Sequence, residues 1–197
     1  MIITIEGIIG IGKSTILEII RAAGYTVFLE PFEKNPCMKK FYEDMERWWC
    51  AVQTFMFQLR YLQFLHMRTH PADKVFCERS CMSDRWTFGE MLIKNVCKHP
   101  EEAQLYRSWF SWFEKWEGLM PDVAIIIDIP PEIALERIKR RGREMESGIT
   151  LKYLQDLRDI TLKNMDKLGK KVILLQELSD SPEENANNIL RIIEELK

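Results

Sequence analysis

The sequence predicts an α/β domain, one five-stranded parallel sheet flanked by helices. Three observations carry this expectation. Five short runs rich in β-branched residues punctuate the 197 residues. None of them alternates with polar residues, which suits strands buried on both faces. Helical stretches separate the runs, and that alternation implies right-handed crossovers into a parallel sheet.

The elements follow in order. The first strand is Ile2–Ile5, and a glycine-rich turn leads from it into a helix that begins at Lys13. The second strand is Val27–Leu29. A long helix runs from about Lys39 to Met67, with a break predicted near Trp49. The third strand is Val75–Cys77, followed by helices over 82–97 and 101–118. The fourth, Val123–Ile129, precedes a helix over 131–141 and another over 150–168. The fifth, Val172–Leu175, precedes a last helix over 183–196. There is no repeat, linker or low-complexity tract, so residues 1–197 read as one domain.

Composition narrows the function. Lys plus Arg is 28 and Asp plus Glu is 30, a formal net charge of −2. Proteins built for the DNA or RNA backbone usually carry a basic excess, so a nucleic-acid partner is not expected. A membrane is not expected either. The longest apolar runs, such as Val123–Ile127, fall far short of the roughly 20 residues a span requires. The N-terminus shows no leader pattern, and the five cysteines have no framework spacing. Both point to a cytoplasmic protein with reduced thiols.

In a parallel α/β sheet, ligands bind beyond the carboxyl ends of the strands. The first strand ends in Gly7-Ile8-Ile9-Gly10-Ile11-Gly12-Lys13-Ser14, with Thr15 opening the helix. This is G-x-x-x-x-G-K-S in the strand–loop–helix setting that a phosphate-binding loop requires. Its glycines let successive N–H groups point into one concavity, and the helix N-terminus adds positive potential. Lys13 can reach the β- and γ-phosphates, and the Ser14 hydroxyl can ligate Mg²⁺. The motif predicts a bound nucleoside triphosphate.

The other strand ends carry charge. Glu30, locked by Pro31, is either a general base or a solvated loop acid. Glu78 can hold Mg²⁺ and Arg79 can grip a phosphate, or the two are a helix-capping acid and a surface arginine. Of residues 137–146, five are basic, all within seven positions. Such a run is ordinarily a solvated face. Beside a phosphate loop, an arginine lid over a transferring phosphoryl group explains it better.

Taken together, these residues resemble the deoxyribonucleoside kinases, the deoxycytidine, deoxyguanosine and deoxyadenosine kinase group with its insect and viral relatives. The similarity rests on Glu6 to Thr15, Glu30-Pro31, Glu78-Arg79-Ser80 and the lid, and it runs over nearly the whole chain. It implies a P-loop kinase fold, Mg²⁺ and ATP or another triphosphate as donor, and a homodimer. By this resemblance Glu30 takes the proton of the nucleoside 5′-hydroxyl. Arg79 binds the 5′-oxygen and phosphate, Glu78 stands with Ser14 on the Mg²⁺ side, and Arg137, Arg141 and Arg143 are lid arginines. Glu146 with Tyr42 matches the pair that meets the sugar 3′-hydroxyl. Thr150 stands where the family often has proline.

The base pocket also carries over. Gln53 resembles the base-reading glutamine, whose amide offers one donor group and one acceptor. Arg60 and Asp84 resemble a charged pair at the far end of the pocket, and Phe88 the aromatic that stacks on the base. Asp84 can accept from an exocyclic amino group, which favours deoxycytidine and the purine deoxynucleosides over thymidine. Met56 departs from the family, where a small residue is common, and narrows the pocket; Phe41 adds bulk.

Two alternatives accompany this expectation. A thymidylate-type kinase usually has an arginine before Glu-Pro, where Leu29 stands here. A nucleotide-binding subunit that has lost catalysis is the other. His66, His70, Cys77 and Cys81 have i,i+4 spacings open to zinc, although buried thiols are commonly core. Trp109, Trp112, Phe113 and Trp116 form a helical stripe, read as packing. Asp128, near the end of the fourth strand, has no evident role.

Overall fold

The structure is a computed structural model that describes residues 1–115, 119–176 and 178–196. Its five strands are β1 (Ile2–Glu6), β2 (Thr26–Phe28), β3 (Val75–Glu78), β4 (Val123–Ile127) and β5 (Lys171–Leu175). They pair in parallel in the order β2-β3-β1-β4-β5, with Ile3 opposite both Phe76 and Val123. Every residue of β1 and β4 is buried, as expected for strands covered on both faces.

Helix α1 (Lys13–Ala22) packs against α9 (Pro182–Glu195), burying Ile16, Leu17 and Ile20 with Ile189 and Ile193. Each such side chain contributes about 1.5–3 kcal/mol by leaving water. Helix α2 (Met38–Glu43) and the long α3 (Met45–Arg68) lie between β2 and β3 in the chain. The helix break falls at Asp44 rather than near Trp49. Asp44 caps α3 by accepting from the Arg47 N–H at 3.1 Å, whereas Trp49 is fully buried inside α3.

The expected helix over 82–97 is instead three pieces. They are α4 (Cys81–Ser83), a π-helical stretch over Asp84–Gly89 and α5 (Glu90–Asn95). Helix α6 (Pro100–Glu114) carries Trp109, Trp112 and Phe113; Trp116 lies outside the described residues. Strand β4 ends two residues sooner than expected, before Pro130 and α7 (Pro131–Arg141). Helix α8 (Leu151–Lys163), capped by Thr150, is also shorter than expected, giving way at Asn164 to a 3₁₀ turn over Met165–Lys167.

Candidate active site

The carboxyl ends of β1, β2 and β3 open on one cavity of about 510 Å³. That is within the range of sites that enclose a small molecule. The phosphate loop forms one wall. Gly7 and Gly10 have φ of 129° and 85°, which side-chain-bearing residues rarely adopt. A Cβ on Gly7 would stand 2.5 Å from the Ile127 carbonyl oxygen, and one on Gly10 2.6 Å from that of Ala134. The loop thus needs glycine to nestle against β4 and α7. Ile8 and Ile11 turn their side chains into the core, so only their backbone is available to a phosphate.

At the helix end of the loop, Lys13 Nζ donates to the Ile8 carbonyl at 2.8 Å and stands 4.0 Å from Glu78 Oε1. Burial, and next to it Arg79, brings the Lys13 ammonium down to about 7, against the pull of Glu78 and Glu30. Ser14 Oγ donates to Glu78 Oε2 at 2.9 Å. A hydroxyl and a carboxylate in contact beside a phosphate loop are the donor set Mg²⁺ takes with a nucleotide, since phosphates and water complete its shell. No group of three or more metal-ligating side chains exists among the described residues. Cys77 and Cys81 are buried free thiols, and His66 and His70 lie edge-on to Phe28.

A chain of charges runs across the cavity floor. Arg60 Nη2 donates to Glu30 Oε1 at 2.6 Å, and Arg60 Nε to Asp84 Oδ2 at 2.8 Å. Arg79 Nε stands 3.4 Å from Glu30 Oε2. Arg60 is therefore not confined to a pair at the far end of the pocket; it joins Asp84 to Glu30. Burial alone pushes the Glu30 carboxyl up, but Arg79, Arg60 and Lys13 outweigh it and hold the group down at about 2. Burial lifts the Asp84 carboxyl to about 7 despite contact with Arg60.

Arg79 has φ of 64°, the one positive value outside glycine among the described residues. Such a backbone costs about 1–3 kcal/mol and persists where surroundings dictate it. Here the Arg79 N–H donates to the Ile5 carbonyl at 3.1 Å. Next to it, the Ser80 and Ser83 hydroxyls donate to the buried Glu6 carboxylate at 3.0 and 2.5 Å. The strained turn aims the Arg79 guanidinium at Glu30 and over the Phe88 ring, 4.4 Å from its centroid.

Every residue assigned to the nucleoside in the sequence lines this cavity: Glu30, Tyr42, Gln53, Met56, Arg60, Arg79, Asp84, Phe88 and Glu146. Gln53 Oε1 and Arg60 Nη1 are buried there without a hydrogen-bond partner. The lid arginines separate. Arg141 and Arg143 line the cavity and donate to Glu146 at 2.5 and 3.5 Å. Arg137, one helical turn before Arg141, lies against the phosphate loop instead, donating to the Ile11 carbonyl at 3.2 Å. Asp128 also gains a place. It accepts two bonds from Arg158, at 2.6 and 2.8 Å, and one from Gln176 at 3.2 Å, tying α8 to the end of β5.

Sequence reasoning missed Tyr153, which lines the cavity from the first turn of α8; burial raises its phenol far above its ordinary value. It also gave Glu6 no role. A glutamate inside an apolar strand was the available signal.

The family model described as deoxynucleoside kinase matches residues 3–197. Human deoxycytidine kinase is 33% identical over 185 residues, covering 79% of this chain and 71% of the relative. A probable deoxycytidine kinase of fowlpox virus is 29% identical over 160 residues, 80% and 68% of the two chains. The structure of deoxyadenosine kinase from M. mycoides with bound dATP superposes with a TM-score of 0.81 at 26% identity, covering 97% of this chain and 100% of that one.

Proposed function

The chain belongs to the deoxynucleoside kinase family, and from that premise we propose how its cavity divides the work. The enzyme is a kinase that moves the γ-phosphoryl group of ATP to the 5′-hydroxyl of a deoxyribonucleoside, giving the 5′-monophosphate. The triphosphate sits on Gly7–Thr15, with the nucleoside between Gln53 and Phe88 and its 5′-hydroxyl against Glu30. Tyr42 and Glu146 take the 3′-hydroxyl.

The observation that carries this reading is Glu30, a carboxylate ringed by Arg79, Arg60 and Lys13 and sharing one cavity with the phosphate loop. Held down at about 2, Glu30 stays ionised at neutral pH. It is a weak base for an alcohol in the ground state. Phosphoryl transfer through a loose transition state releases the hydroxyl proton late, so orientation matters more than basicity. Glu30 orients the hydroxyl and then accepts its proton. Lys13, Arg79, Arg141 and Arg143 neutralise charge on the transferring group. Arg137 steadies the loop through Ile11. Mg²⁺, held by Ser14 and Glu78 with the phosphates, supplies further charge neutralisation when bound.

We assign base preference to deoxycytidine and the purine deoxynucleosides over thymidine. An Asp84 carboxyl oxygen accepts from an exocyclic amino group, which thymine lacks. The names of the relatives and the neighbour described above span cytosine and adenine. Leu29, in place of an arginine that would hold a substrate phosphate, favours a neutral nucleoside over thymidylate. The enzyme acts as a homodimer: Leu62 and Leu65 on α3 and Leu105 and Trp112 on α6 are exposed apolar side chains suited to a partner copy. Its five free thiols fit a reducing compartment such as the cytoplasm.

The test is a coupled assay offering deoxycytidine, deoxyguanosine, deoxyadenosine, thymidine and thymidylate to wild type and Glu30→Gln. The amino-bearing nucleosides should lead. The variant should bind nucleoside nearly normally and lose about 10²–10⁴ in turnover. Near-normal turnover would sink the assignment of Glu30, and a lead for thymidine that of Asp84.

A further inference from the structure

The π-helical stretch Asp84–Gly89 is held from outside by side chains that no catalytic role accounts for. A turn closed by i→i+5 bonds carries one residue more than an α turn. Two of its carbonyls, and that of Ser83 just before it, take side-chain donors. Thr87 Oγ1 donates to the Ser83 carbonyl at 2.5 Å, the Tyr106 hydroxyl to that of Asp84 at 2.8 Å, and Asn164 Nδ2 to that of Trp86 at 2.9 Å. Tyr106 comes from α6 and Asn164 from the end of α8, and both are buried. Gly89 makes the approach possible, because a Cβ there would stand 2.5 Å from the Asp84 oxygen and 2.8 Å from the Tyr106 hydroxyl.

Both ends of the stretch are also fixed. Ser83 is tied to Glu6, and Met91 and Leu92 are buried in the core. Removing the extra residue's worth of winding turns one end against the other by about 100°, the angle of one α-helical residue. With the ends anchored, the rotation falls on Asp84 to Phe88, the segment that presents both side chains to the nucleoside cavity.

We infer that Tyr106 and Asn164 are positioning residues for base selection, which lock the π turn and so hold Asp84 and Phe88 in register with the base. This rests on the nucleoside reading of the cavity given above. Neither residue lines the cavity itself.

The test compares Tyr106→Phe and Asn164→Ala with wild type in steady-state kinetics for deoxycytidine, deoxyadenosine, thymidine and ATP. Each variant should raise the nucleoside KM and shrink the spread of kcat/KM among bases by about tenfold, with the ATP KM unchanged. Phe110→Leu, a change at a buried neighbour on α6, controls for lost packing and should leave the spread intact. In an Asp84→Asn background, Tyr106→Phe should no longer change the spread, because the residue acts through Asp84. An unchanged spread in both variants overturns the inference. So does equal loss for all nucleosides and ATP, or an undiminished effect in the Asp84→Asn background. If wild type itself prefers thymidine, the base assignment fails, yet the variant-to-wild-type comparison still decides the role of Tyr106.

Discussion

Replacing Arg60 by leucine leaves Glu30 with Arg79 and Lys13 but strips Asp84 of its only ion-pair partner among the described residues. Asp84 is 1% exposed, so water does not replace the lost guanidinium. Breaking a buried pair from one side costs about 3–5 kcal/mol. At 2–4 °C per kcal/mol for a chain of this size, the melting temperature at pH 7 should fall by roughly 6–20 °C. The sign with pH is also fixed. An acid whose folded-state value is raised binds its proton more readily folded than unfolded, so stability returns as pH falls. Wild-type Asp84 itself sits at about 7, so the deficit of Arg60→Leu against wild type should shrink mainly as pH falls from about 9 to 7. The double variant Arg60→Leu/Asp84→Asn should regain much of the loss at pH 7. Scanning fluorimetry or urea titration reads all three. A single variant melting within a few degrees of wild type, a pH-independent deficit, or a double variant no better than the single refutes the reasoning.

Glu30 yields the opposite pH signature. Its value is lowered from 4.5 to about 2, so its contribution, about 3 kcal/mol, is fully present above pH 4.5 and lost as pH falls through about 2. The stability difference between wild type and Glu30→Gln should narrow as pH drops from 6 to 3, and a constant difference contradicts the charge cluster. Glu78→Gln weakens the acceptor that orients Ser14 and should raise the Mg²⁺ concentration for half-maximal activity by about 10–100-fold; an unaltered Mg²⁺ requirement removes Glu78 from the metal side. Gly10→Ala forces a Cβ to within 2.6 Å of the Ala134 carbonyl at a φ of 85°. It should cost about 1–3 kcal/mol of stability and raise the ATP KM while sparing nucleoside affinity, and calorimetry with each ligand separates the two effects.

The parts of the site that are contiguous in the chain were the most legible. The phosphate loop occupies consecutive residues with a fixed spacing, and its strand and helix flank it directly. The rest of the cavity is assembled from α3, the π turn and the segment after α7, so no local pattern joins Gln53, Asp84 and Glu146. Only resemblance to a family brought them together. Resemblance also grouped Arg137 with Arg141 and Arg143, although its guanidinium donates to the Ile11 carbonyl of the phosphate loop and does not line the cavity. The helix break was misplaced at Trp49 because the apolar pattern runs on past Asp44, whose capping role depends on a backbone angle. The π turn left no trace in the sequence, since six residues are too few to distinguish its period from that of an α-helix.

Arg60 joins Asp84 to Glu30 through a single guanidinium. A lineage drifting toward another nucleobase cannot rewrite one end of that relay in isolation. Each substitution at Asp84 changes the counter-charge Arg60 must balance and therefore the field at the reacting oxygen. New base preferences on this scaffold should arise through paired substitutions at 60 and 84, with intermediates that are slow catalysts as well as poor discriminators. Selection experiments that randomise position 84 alone will sample mainly such intermediates, and libraries that vary both positions together are the direct route around them.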